Sequence, residues 1–233
     1  MKTEQKQLEI LVIEDTPEHL EEAKRVSRLY KNVHFTFVST EVEAEALYGS
    51  CDGIASDIFF PRTKETKPTF ECGINAGSHA KELDLPLAYC TAGKSAHARE
   101  YDEFLDLYFQ IFDGYVGFGS RPFFYSYSEN PNEIPRKSWK SAFDYLLLKA
   151  AAASMTADSL DAQQYKLLEN LFSGAIFDRG QFQKQIDGMM NENLSDEEAL
   201  GGENGPYLTR TYGEDTCKRT LDFIRETIRT YRN

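Results

Sequence analysis

The chain has 233 residues, 41% of them hydrophobic, with 38 acidic against 26 basic side chains and a formal net charge of −12. That length holds one generous domain or two small ones. The acidic balance disfavours nucleic acid and anionic membranes as partners, and no apolar stretch approaches the roughly 18 residues of a membrane span. The opening MKTEQKQLEILVIED has too short an apolar run for a secretory signal, so the expectation is a soluble, cytoplasmic protein. Cys51, Cys72, Cys90 and Cys217 form no CxxC pair and read as free thiols, and His19, His34, His79 and His97 lack metal-ligand spacing.

LEILVIED (8–15) is a continuous apolar run of strand length that ends in acids, the pattern of a strand buried on both faces of a parallel sheet. TPEHLEEAKRVSRLYK follows with a Thr-Pro start, acids in its first turn and Leu20, Ala23, Val26 and Leu29 at helical spacing. HFTFVST (34–40) predicts a strand, EVEAEALYGS a short helix and DGIASDIFFP (52–61) a third strand. RTKETKPTFECGINAG is polar and has no clear period, which predicts a long loop leading into a helix over about residues 74–84. PLAYCTA (86–92) reads as a fourth strand, KSAHAREYDEFLDLYFQIF as a helix, DGYVGF (113–118) as a fifth strand, GSRPF as a turn and SWKSAFDYLLLKAAAASM as a fifth helix. Strands alternating with helices predict an α/β fold with a doubly wound parallel sheet.

Ligands of such sheets sit outside the carboxyl ends of the strands. Glu14 and Asp15 end the first strand, Asp57 ends the third and Thr91 the fourth, so their side chains converge on one crevice. Carboxylates this close repel one another, which raises a pKa or recruits a cation; Mg²⁺ is suited, because it takes a few carboxylate oxygens and bridges to phosphate, and a purely structural acid cluster is the rival reading. A carboxylate beside such an ion can act as nucleophile towards a phosphoryl group.

LVIED, then SDIFFP, then PLAYCTA, then DGYVGFGSRPF resemble, in order and spacing, the receiver domain of two-component response regulators over residues 8 to about 153. The resemblance implies a five-stranded, flavodoxin-like receiver fold in which Glu14, Asp15 and Asp57 bind Mg²⁺ and Asp57 accepts the phosphoryl group. It further implies that Thr91 is the switch hydroxyl and Tyr115 the aromatic switch. The implied donor is a histidine kinase or phosphotransfer protein. The implied output is a protein partner on the face of strand 4, helix 4 and strand 5, where nine aromatics fall between Tyr108 and Tyr127. One position departs from the family: a lysine belongs shortly after the strand-five aromatic, and the cation found there is Arg121, displaced by an inserted GFGS. A guanidinium fork does not replace a compact ammonium conservatively. A pseudo-receiver, a constitutive interaction module without phosphoryl chemistry, is therefore the alternative. An aspartate-nucleophile phosphatase is disfavoured because it wants a DxD arrangement where this chain has IEDTP.

Residues 154–233 resemble no output domain. SLDAQQYKLLENLFSG, DRGQFQKQIDGMM and EDTCKRTLDFIRETIRTYRN each carry an apolar stripe at helical spacing, whereas NENLSDEEALGGENGP, acidic and glycine-rich, predicts a mobile loop. The expectation is a receiver-like domain over 1–153 and a small all-helical extension over 154–233, packed on the domain or paired in a homodimer.

Overall fold

The computed structural model describes residues 7–91, 98–112, 123–124, 137–154, 160–172 and 181–233. The chain is α/β. Parallel strands β1 (Leu8–Ile13), β2 (Val33–Val38), β3 (Gly53–Ser56) and β6 (Leu87–Cys90) form the body of the main sheet. A two-residue strand, β7 (Phe123–Phe124), pairs with the outer edge of β6, so the order is β2-β1-β3-β6-β7. Phe123 belongs to the stretch read as a turn, and the DGYVGF segment read as the fifth strand lies outside the described residues. Between β3 and β6, β4 (Phe60–Pro61) and β5 (Pro68–Thr69) form a small antiparallel pair.

Alternation within β1 explains how the sheet holds two cores. Leu8, Ile10 and Val12 face one side and Leu11 and Ile13 the other, as the two-residue strand period requires. On the second side lie α2 (Glu41–Glu45), α3 (Phe70–Glu82) and α4 (Ala98–Phe112), with Ile54, Ile58, Phe60, Tyr89 and Phe104 buried among them. On the first side lie α1 (Pro17–Ser27) and α5 (Trp139–Ser154). Pro17 opens α1 and Lys24 and Arg25 end it, in keeping with the helix dipole. Thr40 caps α2, its hydroxyl accepting the Glu43 N–H.

The segment read as a long loop after Pro61 is shorter and more ordered than the sequence suggests. The β4–β5 pair leans on α2 through Arg62 and Glu41 (3.9 Å) and through Lys64 and Glu43 (3.2 Å), and α3 begins at Phe70. Gly73 explains why α3 can sit so close to the strand it follows. A Cβ there would lie 2.4 Å from the Ile58 carbonyl oxygen, one residue past Asp57.

Among its described residues the C-terminal part carries five α-helices: α6 (Ala162–Phe172), α7 (Gln181–Met189), α8 (Asp196–Gly201), α9 (Gly205–Tyr212) and α10 (Glu214–Tyr231). The expected mobile loop at 191–206 instead contains α8. Ser195 and Glu198 form a reciprocal capping box, acids fill the first turn, and Ala199 and Leu200 are buried. These helices extend the first core rather than forming a separate one. Leu168, Phe172, Phe182, Ile186, Leu221, Ile224 and Ile228 share a buried cluster with Ile10, Phe143 and Leu147. Each such side chain contributes about 1.5–3 kcal/mol through burial. Among the described residues no helix is long and apolar enough to cross a membrane. All four cysteines are free thiols.

Candidate functional site

Glu14, Asp57 and Thr91 each stand just beyond a strand, and the ladder hydrogen bonds reach them. The Glu14 N–H donates to Val38 O (3.0 Å), the Asp57 N–H to Ile13 O (2.8 Å) and the Thr91 N–H to Phe124 O (3.0 Å). The backbone is thus fixed up to the point where these side chains leave the carboxyl edge of the sheet. That edge includes the β1–β3 junction, where the chain switches from one side of β1 to the other. Glu14, Asp57 and Thr91 are buried and Asp15 half-buried. One carboxylate oxygen from each of Glu14, Asp15 and Asp57 lies within 4.8 Å of the other two.

Three carboxylates so placed need a positive charge among them. Lys137 provides it. Its ammonium donates to Glu14 Oε2 in a very short contact and lies 2.8 Å from Asp57 Oδ2, with only 2% of its side chain exposed. The other oxygens are also engaged: Asp57 Oδ1 accepts the Ile58 N–H (2.7 Å) and Glu14 Oε1 the Thr16 N–H (3.0 Å). His19 Nδ1 is 3.9 Å from the same Glu14 oxygen.

Electrostatics follow from this packing. Burial, and then the charge of Asp57, push the Glu14 carboxyl up to about 8, against the pull of Lys137. The same two causes raise Asp15. Burial alone would lower the Lys137 ammonium, but Asp57 and Glu14 together hold it above its ordinary value, so it stays charged inside the protein. With every group ionised, three carboxylates against one ammonium leave two formal negative charges unmatched. The donors are all hard oxygens, which suit a hard divalent cation better than a thiophilic one.

The structure therefore brings Glu14, Asp15 and Asp57 together and sets Thr91 at the same sheet edge, while Tyr115 and Arg121 lie outside the described residues. The cation that meets the acids comes from another part of the chain than the segment after Tyr115 in which the resemblance placed it. Lys137 directly precedes Ser138, the residue whose carbonyl accepts the first helical N–H of α5, from Ala142. The one local signal was a lysine at the mouth of a buried helix, in PRKSWKSAF. Its pairing with the acids joins residues 123 apart in sequence, which spacing alone does not encode. No family model, curated protein or solved structure matches this chain.

Proposed function

We propose that this chain is a receiver-like signalling protein whose Asp57 accepts a phosphoryl group, with Glu14, Asp15 and Asp57 holding Mg²⁺. The observation that carries the reading is the Lys137 ammonium, set on both Asp57 and Glu14 beside a third carboxylate at the carboxyl edge of a parallel sheet. The strand order supports a flavodoxin-like receiver arrangement, with the short β7 in the fifth place. In the transfer, an Asp57 oxygen forms a bond to phosphorus as the donor's bond to phosphorus breaks, the leaving group keeping the electron pair. Lys137 matches charge on Asp57 and on the incoming phosphoryl oxygens, and Thr91 offers a hydroxyl at the same edge. A bound divalent cation would offset charge on both reactants. The donor is a histidine kinase or phosphotransfer protein, and the output is a change in a protein-binding face.

One observation favours a second reading, a pseudo-receiver that binds partners without phosphoryl chemistry. Asp57 exposes only 10% of its side chain, and both its oxygens already have partners. Incubation with acetyl phosphate and Mg²⁺, followed by intact-mass measurement, separates the two. An adduct of one phosphoryl group that disappears in Asp57→Asn and in chelator supports the first reading. No adduct, with a known receiver labelling in parallel, leaves the second.

A further inference from the structure

Beyond the acid cluster, the C-terminal helices grip the helix that follows its lysine. Lys137 directly precedes Ser138, whose carbonyl accepts the Ala142 N–H in the first turn of α5, so its backbone is joined to that turn. Within the second turn, the fully buried Asp144 carboxylate is held by a guanidinium fork from the end of α10. Arg232 Nε donates to Oδ1 (2.8 Å) and Arg232 Nη2 to Oδ2 at still shorter range. The Tyr30 hydroxyl donates to the same carboxylate (2.9 Å). Lys140, between these points, lies 3.5 Å from Asp187 of α7, and Arg232 Nη1 lies 3.7 Å from that same Asp187. The end of α10 and the residues after it are tied down too: the Lys31 N–H donates to Tyr231 O and the Asn233 N–H to Leu29 O, both at 2.8 Å.

A helix is stiff over two turns, and Asp144 lies only about 10 Å along the axis from Lys137. A grip at Asp144 therefore fixes where the first turn points. Bidentate arginine–carboxylate pairs add geometric as well as energetic constraint. We infer that Arg232 and Asp144 are positioning residues for Lys137: the C-terminal helices hold the first turns of α5 so that the ammonium stays on Asp57 and Glu14.

This deepens the phosphoacceptor reading and rests on it for labelling; the cation-binding part needs only the acid cluster. The inference has a sign that mere destabilisation lacks. Lys137 competes with a divalent cation for the carboxylates, so loosening the lysine tightens cation binding. The same loosening slows phosphoryl uptake, which needs the ammonium beside Asp57. Loss of folded protein would weaken both.

The test uses the full chain and the Mg²⁺ ion, with Trp139, the single tryptophan, as reporter, since the Lys137 ammonium lies 5.8 Å from its ring. Arg232→Met is expected to bind Mg²⁺ about fivefold more tightly and to label from acetyl phosphate about fivefold more slowly. Arg232→Lys should restore part of both changes. Tyr30→Phe, which removes one bond to Asp144 and keeps the ring, should shift both readouts the same way by less, and it serves if Arg232→Met does not fold. In a Lys137→Met background, Arg232→Met should leave Mg²⁺ affinity where Lys137→Met alone puts it. Folded variants that bind Mg²⁺ as the wild type does, that lose affinity and labelling together, or that act equally without Lys137 overturn the inference. If the wild type takes no phosphoryl group while the Mg²⁺ pattern holds, the phosphoacceptor reading falls and the positioning role stands. If the wild type labels and Arg232→Met matches it in both readouts, the reverse holds.

Discussion

Replacing Lys137 with methionine tests how the acid cluster is held together. The ammonium makes two charge-assisted contacts in a buried site, to Glu14 and to Asp57, each worth about 1.5–3 kcal/mol. Removing one partner of a buried ion pair costs about 3–5 kcal/mol, mostly from the charge left behind. Methionine restores some apolar packing, and Glu14, whose carboxyl burial and Asp57 already push up against the pull of Lys137, holds a proton more readily once the ammonium is gone, which limits the repulsion. The net loss in chelator is therefore about 3 kcal/mol. A divalent cation should recover much of it, because the carboxylates then have no competing ammonium, and ligand at 100 times its Kd contributes about 2.7 kcal/mol. Urea denaturation of wild type and Lys137→Met, each in chelator and in excess Mg²⁺, measures all four values. A loss below about 1 kcal/mol in chelator, well under that expected for a buried pair, or an equal Mg²⁺ response in both proteins, refutes the reasoning.

Other consequences are as direct. Gly73→Ala places a Cβ 2.4 Å from the Ile58 carbonyl oxygen; it should cost about 1–3 kcal/mol in denaturant unfolding and slow any labelling at Asp57, because Ile58 directly follows that residue. Ser195→Ala removes one half of the α8 capping box and should cost about 1 kcal/mol by the same measurement. Glu14 binds its proton more tightly in the folded chain than in the unfolded one, so its contribution to stability falls as pH rises from the usual carboxylate range through about 8. Relative to Glu14→Gln in chelator, the wild type should accordingly lose stability over that window. Cys72, Cys90 and Cys217 are buried, and burial pushes Cys51 and Cys72 up to about 11. Alkylation followed by mass should be slow in the native protein at pH 8 and complete on unfolding.

Much of the fold was legible because its signals are local. The apolar runs at 8–13, 53–56 and 87–90 are strands buried on both faces, and a two-sided strand shows its nature without reference to the rest of the chain. Glu14, Asp15, Asp57 and Thr91 were legible for the same reason, since each directly follows or closely trails such a run. Lys137 was not, because its role depends on where α5 begins in space, far along the chain from Glu14. The acidic stretch at 191–206 misled in another way. Glycines and acids suggest a loop, yet Ser195-x-x-Glu198 is a helix-start signature and those acids suit a helix amino terminus. The grip of Arg232 on Asp144 likewise joins residues 88 apart in sequence, and neither residue type alone distinguishes it from a solvated charge.

Uptake of a phosphoryl group by Asp57 itself is best tested by reading the bond formed at that residue. The chain is incubated with acetyl phosphate and Mg²⁺ and reduced with borohydride, which converts an acyl phosphate to the alcohol. Peptide sequencing by mass spectrometry then covers the segment around Asp57. Homoserine is expected at position 57, absent without acetyl phosphate and absent in chelator. Unmodified Asp57 in protein that labels elsewhere, or that does not label while a known receiver does, would contradict it.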